Sequence, residues 1–435
     1  MATAEERQLD AVRGVARDIA ARLDLNAWLR LWDGSRVPLG KAPTSELEIK
    51  IASPGVLRAI LRKPVLDTII RQYVEKGIDF SGGTLIELGR EINKRDRSAK
   101  ISGLDTVKIA ARLAPFLFAE EAAVKDAHGF GGDIIGRRAE KRDNTAYISF
   151  HYDLSNEFYA LFLDPEMVYT CAYYTDWNNG VEQAQIDKLD MICRKLRLKP
   201  GDRFLDIGCG WGALLCHAAK NYGVKAHGVT LSKEQLAFAE AKVKRLGLEG
   251  QVTFAFIDYI NLHGQFDKIA SIGMYEAIGL ENIPRYMRKV RSLLADDGLF
   301  LNHAISRKAK RRRLLPERVR PEQRALAKYI FPGGALDDIG HTIQEMELAG
   351  FDVADVEGWR MHYARTTRLW SERLTSRKDE AIKLVGEEKY RIFIAYLSGC
   401  ALSFERGTAR LYQTLATKSA KGPTPLPPTR EDLYR

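Results

Sequence analysis

Apolar positions along the chain fall into two spacings that separate an N-terminal part from a longer second part. Near the start, apolar side chains recur every three or four positions, at Leu9, Val12, Ala16, Ile19 and Leu23. This spacing predicts an amphipathic helix. Residues 31–39 then predict a hairpin with its turn at 33–34, and residues 47–52 alternate as a strand does. Ser53 followed by Pro54 predicts the start of a second helix.

From about 200 to 305 the pattern changes to short apolar runs, which predict strands at 203–208, 225–230, 251–256, 266–272 and 298–305. Helical stretches at 212–222 and 232–247 separate the first three of these strands. Such alternation predicts an α/β fold with a parallel sheet covered by helices on both faces. Ligands of these folds bind at the carboxyl ends of the strands, where the strand order reverses.

These patterns predict four segments along the 435 residues. Residues 1–125 form a smaller α+β domain, and 146–417 form the larger α/β domain. Residues 126–145 are rich in glycine and charge and are predicted to be a linker. The segment 418–435 is rich in proline, which predicts a disordered tail.

Composition excludes several classes of protein. The chain is 45% hydrophobic and 29% charged, which is typical of a folded globular protein. No apolar run is long enough for a transmembrane helix, and Glu5 and Glu6 argue against a signal peptide. The five cysteines form no CxxC pair, so we expect no disulfide framework, no metal site and a reducing cytoplasmic location.

The net charge of +10 is concentrated in one segment, residues 306–324. This segment holds nine basic residues against Glu317 and Glu322. Such a patch suits a polyanion, which is either a nucleic acid or an anionic membrane surface. The alternative is a solvated loop without a partner.

Alternating glycines follow the first strand of the α/β domain. Leu205 and Asp206 are followed by Gly208, Gly210 and Gly212. Glycines at these places let a ligand approach the backbone closely. The acid beside the loop would repel a phosphate but suits the ammonium group of a methionine moiety. The string resembles the S-adenosylmethionine (SAM) loop of class I methyltransferases, with their Rossmann-like fold; a glycine turn without function is the alternative.

Further candidate SAM contacts follow the second and third strands: Thr230, Leu231, Ser232, Gln235, Asp258 and Tyr259. Many Rossmann-like proteins hold the ribose hydroxyls with an acid after the second strand, and Gln235 is the candidate substitute here. Asp258 could accept from the adenine amino group, with Tyr259 packing nearby. The alternative for this last pair is an ordinary loop.

Four more strings, at 151–159, 273–279, 301–306 and 362–370, complete a resemblance to the cyclopropane-fatty-acid synthases. The resemblance is close over 146–417 and looser over the first 125 residues, which look like the N-terminal domain of the bacterial phospholipid-modifying branch. It implies transfer of a methylene group from SAM to the cis double bond of an acyl chain, through a carbocation. It also implies a homodimer and unsaturated phospholipids of an anionic membrane as substrate, reached from the inner face.

The resemblance implies a bound bicarbonate that serves as the base. Its ligands would be Cys171, Glu276, His303, Ile305 through its backbone, and Tyr363. Tyr169 and Thr170 would join the SAM contacts. Taken singly, His303 and Tyr363 could instead be core residues, and Cys171 a small buried apolar side chain.

One departure from the family pattern concerns the product. Many relatives have a histidine after the glutamate, where this chain has Ala277. Loss of a different proton from the same carbocation would give a methyl- or methylene-branched chain without a ring. Two other functions stay open here: a nucleic-acid methyltransferase, although its usual catalytic strings are missing, and a scaffold with a relict SAM fold.

Overall fold

The structure is a computed structural model that describes residues 3–94, 109, 111–118, 129–134, 146–148, 150, 154–309, 321–418, 424 and 426–434. The chain divides into two compact units. The first comprises Met1–Gly129, Val319–Ala325 and Val385–Leu402, and the second comprises Phe130–Arg318, Leu326–Leu384 and Ser403–Arg435. Among the described residues, no helix has the length and apolar character needed to cross a membrane.

The first unit contains a four-stranded sheet and helices. Its strands are β1 (Trp28–Arg30), β2 (Arg36–Pro38), β3 (Glu48–Ile51) and β4 (Ile78–Ser81), in the order β2-β1-β3-β4. Its helices are α1 (Ala4–Leu23), α2 (Pro54–Arg62), α3 (Leu66–Val74) and α4 (Leu85–Lys94). The predicted opening helix, hairpin and strand are therefore confirmed. Ser53 lies at the N-cap of α2, but its side chain makes no capping hydrogen bond.

A seven-stranded sheet forms the centre of the second unit. Its strands are β5 (Arg203–Ile207), β6 (Lys225–Thr230), β7 (Val252–Phe256), β8 (Phe266–Ile272), β9 (Leu294–Arg307), β10 (Phe351–Gly358) and β11 (Ala409–Lys418). The order is β10-β11-β9-β8-β5-β6-β7. β5 to β9 pair in parallel, as predicted, whereas β11 runs antiparallel to both of its neighbours.

Helices cover both faces of this sheet. The helices of the second unit are α5 (Asn156–Ala160), α6 (Val181–Lys195), α7 (Ala213–Tyr222), α8 (Lys233–Leu246), α9 (Ile283–Leu293), α11 (Ile339–Leu348) and α12 (Arg360–Ser376). Two further helices, α10 (Pro321–Tyr329) and α13 (Lys378–Glu405), contain residues of both units. Strand β5 shows why the sheet needs both layers. Phe204 belongs to the core cluster on one face, and Leu205 and Ile207 belong to the cluster on the other. Strands buried on both sides explain the continuous apolar runs of the sequence.

One predicted boundary is wrong, because Val385–Leu402 groups with the first unit and not with the larger domain. Gly386, with φ of +78°, interrupts helix α13 at the point where the chain passes between units. Within the first unit, buried Arg391 donates to the carbonyl oxygens of Tyr73 (2.7 Å) and Ile78 (3.1 Å). These contacts join residues more than 300 positions apart, so no local pattern predicts them.

The predicted disorder after 418 is also wrong for residues 426–434, which pack on the second unit. Leu433 is 1% exposed, and Asp432 pairs with Arg197 at 2.9 Å. Most of the predicted linker at 126–145 lies outside the described residues, as does the centre of the basic segment 306–324.

Candidate active site

The loop after β5 has a backbone conformation that favours glycine. Gly208, Gly210 and Gly212 have φ values of +80°, +52° and +80°. A Cβ atom at Gly208 would lie 2.9 Å from the side chain of Met274. The Gly208 N–H donates to the Val229 carbonyl at 2.9 Å and ties the loop to β6. The loop thus begins at the carboxyl end of β5, where the strand order reverses between β5 and β8.

A cavity that opens to solvent is lined by this loop. Ten predicted cofactor residues line it: Tyr169, Thr170, Asp206, Gly208, Gly210, Thr230, Leu231, Gln235, Asp258 and Tyr259. The carboxyl ends of β5, β6, β7 and β8 therefore contribute to one concave surface. This is the place where an open α/β sheet binds its ligand.

Three predicted cofactor residues do not line the cavity. Leu205 is fully buried in the core cluster on the other face of β5. A Cβ at Gly212 would lie 3.1 Å from Ala239, so this glycine permits close packing on α8. Ser232 caps α8 by accepting from the Gln235 N–H at 3.3 Å. These residues shape the site without facing a ligand.

Asp206 gives the cavity its electrostatic character. It is 3% exposed, and its Oδ1 has no hydrogen-bond partner in the part of the chain that the structure describes. Burial raises the pKa of its carboxyl group to about 7, while the charge of Lys188 acts in the opposite direction. An unpartnered buried carboxylate is costly, and a cationic group of a ligand would stabilise it. The cavity therefore fits a ligand that carries an ammonium or sulfonium group.

A second polar cluster lies at the carboxyl ends of β8 and β9. Glu276 stands in the turn Tyr275–Ala277 after β8, and its Oε1 accepts from the Ile305 N–H. Its Oε2 and the Nε2 of His303 are buried, and neither has a hydrogen-bond partner among the described residues. None of the five predicted catalytic residues lines the cavity, but Ala277 does.

Trp359, which the sequence did not single out, connects the other members of this cluster. The Cys171 Sγ lies 3.9 Å from the Trp359 carbonyl oxygen and 3.2 Å from that of Ala172. The Tyr363 N–H donates to the Trp359 carbonyl at 3.1 Å. The His303 ring meets the Trp359 ring edge-on, with centroids 5.6 Å apart. Cys171 and His303 are thus brought together around one tryptophan. Tyr363 follows it by one helical turn, and its ring packs on Trp370 and Phe404.

Ile305 has a different role from the predicted one. Its N–H was expected to donate to a bound anion, but it donates to Glu276. This bond orients the carboxyl group and leaves the second oxygen of Glu276 for another partner.

Burial sets the protonation of the cluster. It raises the pKa of Glu276 to about 7, although the bond from Ile305 lowers it. It raises the pKa of the Cys171 thiol well above its ordinary value and lowers the pKa of His303 well below its own. At neutral pH the cluster therefore holds a thiol, a neutral imidazole and a carboxyl group near its midpoint. Such a set can bind a small oxyanion and accept a proton.

Comparison with known proteins identifies the family. Residues 139–414 match the family model of mycolic acid cyclopropane synthetase. The chain belongs to this family. As a member, it is a SAM-dependent methyltransferase of the group that makes cyclopropane and methyl-branched fatty acids. This confirms the predicted family, the α/β methyltransferase fold and SAM as methyl donor.

Relatives and solved structures agree with this assignment. A "Probable fatty acid methyltransferase" of Pseudomonas putida is 37% identical over 95% of this chain and 97% of its own length. The cyclopropane-fatty-acyl-phospholipid synthase of Escherichia coli K12 is 38% identical over 62% of this chain and 67% of its own. The structure of mycolic acid cyclopropane synthase CmaA1 with SAH and CTAB is 34% identical, with a TM-score of 0.60, and covers 64% of this chain and 100% of that one. Nothing in these three relatives supports the nucleic-acid alternative.

Lys188 of this family member lines the SAM cavity and is absent from the predicted site. It is 2% exposed, and its Nζ donates to Thr170 Oγ1 at 2.9 Å. Burial lowers its pKa to about 8, and Asp164 is the main group that opposes this shift. The sequence holds a signal for it, because Lys188 stands four positions from Ala184 and from Ile192 on the apolar stripe of α6.

We expect SAM binding to report the protonation of Asp206. In the wild type the affinity should fall as the pH is lowered from 7 to 5.5, because the protonated carboxyl group must lose its proton to face a cation. The fall should approach about tenfold per pH unit. The variant Asp206→Asn should bind more weakly and without this pH dependence, as measured by calorimetry. Asp267→Asn, which removes a surface partner of Arg203, is the control and should behave as wild type. A pH-independent wild type would contradict the role of Asp206.

A second expectation concerns Lys188→Met. The lysine charge lowers the pKa of Asp206, so its removal should move that pKa above 7. The pH at which SAM affinity begins to fall should then be higher than in the wild type, in the same calorimetric titration. An unshifted curve would show that Lys188 and Asp206 are not electrostatically coupled.

Proposed function

We propose that this enzyme transfers the methyl carbon of SAM to a cis double bond in a phospholipid acyl chain and closes a cyclopropane ring, with bicarbonate as the bound base. The observation that carries the proposal is the pair of buried polar atoms, Glu276 Oε2 and His303 Nε2, which have no partner within the described structure. Glu276 accepts from Ile305, two positions along β9 from His303, so both atoms lie near the carboxyl ends of neighbouring strands next to the SAM cavity. A small ligand that both donates and accepts hydrogen bonds would satisfy them.

The proposed reaction needs a base at a defined place. The π electrons of the alkene bond to the methyl carbon, the bond from that carbon to sulfur breaks, and a carbocation remains on the other alkene carbon. Loss of a proton from the new methyl group gives the electron pair that closes the ring. Since an alkene is a weak nucleophile, water must be excluded while the cation exists.

Bicarbonate fits the chemistry of the cluster. The neutral His303 ring carries a hydrogen for an anion, and the Tyr363 phenol is a second candidate donor. The Cys171 thiol would have to exchange its bond to a backbone carbonyl for one to the anion. Glu276 could accept from the bicarbonate hydroxyl group through Oε2. Bound there, bicarbonate would supply the base for the released proton. Glu276, with a pKa of about 7, could take that proton on at neutral pH.

Aromatic packing supports water exclusion. Tyr169 lines the cavity and packs against Tyr159 and Trp370, with ring centroids 5.2 and 5.3 Å apart. Tyr159 in turn packs on Trp211 at 5.2 Å. Tyr159, Trp370 and Trp211 are at most 3% exposed. Rings with this arrangement keep a site dry, and their faces favour cationic carbon or sulfur.

Two observations favour a phospholipid as the acyl carrier. The Escherichia coli relative is a cyclopropane-fatty-acyl-phospholipid synthase. In addition, nine basic residues in the segment 306–324 suit the anionic headgroups of a membrane. We therefore propose that the enzyme acts as a peripheral protein at the inner face of the membrane. The resemblance to the bacterial phospholipid-modifying branch also leads us to propose a homodimer.

A methyl-branched product is the second candidate. The Pseudomonas putida relative, which matches almost the whole chain, is a "Probable fatty acid methyltransferase". Ala277 also lines the cavity where many relatives carry a histidine. The position of the base relative to the carbocation decides which proton leaves and thus which product forms.

The variant Glu276→Gln tests the mechanism. Its amide oxygen can still accept from Ile305, but an NH₂ donor replaces the acceptor Oε2, so we expect turnover to fall by about 10²-fold or more with SAM affinity unchanged. Wild-type turnover should rise as the pH increases through 7, because Glu276 must be ionised to accept. Turnover is measured with SAM and cis-monounsaturated phospholipid vesicles, and proton NMR distinguishes the ring from a branched alkene. Wild-type activity in the variant would refute the role of Glu276, and a branched alkene would favour the second candidate.

Vesicle binding tests the proposed membrane partner. Wild type should bind anionic vesicles more tightly than neutral ones, and less tightly as salt is added, because screening weakens charge attraction. Replacing Lys310, Arg311, Arg312 and Arg313 by serine should remove about 1 kcal/mol for each charge that lies near the surface. The control replaces four exposed lysines elsewhere: Lys199, Lys220, Lys225 and Lys244. Equal binding to neutral and anionic vesicles at low salt would contradict the proposal.

A further inference from the structure

A row of polar side chains crosses three strands behind the catalytic cluster. Glu357 of β10 pairs in register with Gln413 of β11, and Gln413 pairs with His303 of β9. Lys195, at the end of α6, lies against this row. Its Nζ donates to Gln413 Oε1 at 2.7 Å and forms an ion pair with Glu357. Gln413 Nε2 lies 3.1 Å from His303 Nδ1.

The chemistry of lysine fixes the orientation of the glutamine amide. An ammonium group has three donors and no acceptor, so the Gln413 atom that faces Lys195 must be the oxygen. The NH₂ group therefore faces His303 and donates to it. Lys195 and Gln413 are each 1% exposed, so water does not compete for these bonds.

The amide in turn fixes the proton of His303. Nδ1 accepts from Gln413, so the single proton of a neutral imidazole must be on Nε2. Burial and the nearby lysines keep the ring neutral. Nε2 is the nitrogen that has no partner among the residues described. A buried N–H donor thus points away from Gln413 and is available to a ligand.

Trp359 completes the support of this row. The Lys195 Nζ lies 5.1 Å from the centre of the Trp359 ring, and the same ring packs edge-on against His303. The lysine is therefore held by a carboxylate, an amide oxygen and an aromatic face at once.

We propose that Lys195 and Gln413 are positioning residues that hold His303 in the Nε2–H tautomer, so that His303 donates to the bound anion and does not act as the base. This inference rests on the proposed function for the role of the anion, but the tautomer itself is a property of the protein alone. If His303 is a donor, Glu276 is the residue of the cluster that accepts the proton.

Nitrogen NMR of the full-length protein, labelled with [¹⁵N]histidine, tests the inference without any assay of turnover. The His303 signals are assigned by their loss in His303→Gln. Wild type should show a pyrrole-type shift at Nε2 and a pyridine-type shift at Nδ1. A proton on Nδ1 in the wild type would overturn the proposal, whatever the variants do.

The variant Gln413→Glu is nearly isosteric and reverses the hydrogen bond, because a carboxylate can only accept. We expect Nδ1 to become protonated and kcat to fall by about 10²-fold, the usual effect of losing one positioned donor, with SAM affinity unchanged. Lys195→Met should give a mixture of tautomers, since the amide is no longer anchored. The control, Gln183→Glu on the exposed face of α6, should keep the wild-type spectrum.

The outcomes separate this inference from the proposed function. An unchanged tautomer in Gln413→Glu would refute the relay from Gln413 to His303. The predicted tautomers without any modified lipid would support the relay and contradict the proposed substrate.

Discussion

The site depends on polar groups that are buried at the carboxyl edge of the sheet without protein partners. Asp206, Glu276 and His303 lie near or beyond the carboxyl ends of three adjacent strands, β5, β8 and β9. Each has a buried atom that no described residue satisfies. Such an atom costs about 1–3 kcal/mol. The two-sided core of the sheet tolerates this cost, and a ligand that supplies the missing partner recovers it on binding.

The same constraint sets the protonation of the site. Burial raises the pKa values of Asp206 and Glu276 to about 7. Lys188 is the cation that opposes this rise at Asp206. Its charge also opposes the burial-driven rise in the pKa of the Cys171 thiol, and it adds to burial in lowering the pKa of His303. One buried lysine therefore couples the SAM cavity to the neighbouring cluster. A cationic cofactor in the cavity and an anion in the cluster are the ligands that this charge pattern favours.

Much of the fold could be predicted from the sequence because its signals are local. Runs of apolar residues predict the parallel strands, and the glycines after β5 predict the loop. Two of the misplaced residues follow local rules as well: alternation along β5 turns Leu205 away from Asp206, and Ser232 stands at a helix N-cap. Lys188 was detectable as a charge on an apolar stripe.

Other features could not be predicted, because they depend on contacts between distant segments. Gln413 meets His303 through the register of the antiparallel strand β11, and no local pattern fixes that register. The packing of Leu433 and the insertion of Val385–Leu402 into the first unit are of the same kind.

The most direct test of the account is carbon NMR of the protein titrated with [¹³C]bicarbonate in the presence of S-adenosylhomocysteine. The account predicts a bound resonance in the wild type that is lost in His303→Leu and retained in Asp206→Asn, whose change lies in the SAM cavity. Absence of a bound signal at saturating bicarbonate, or an equally strong one in His303→Leu, would contradict the claim that the unpartnered atoms of Glu276 and His303 hold the catalytic anion.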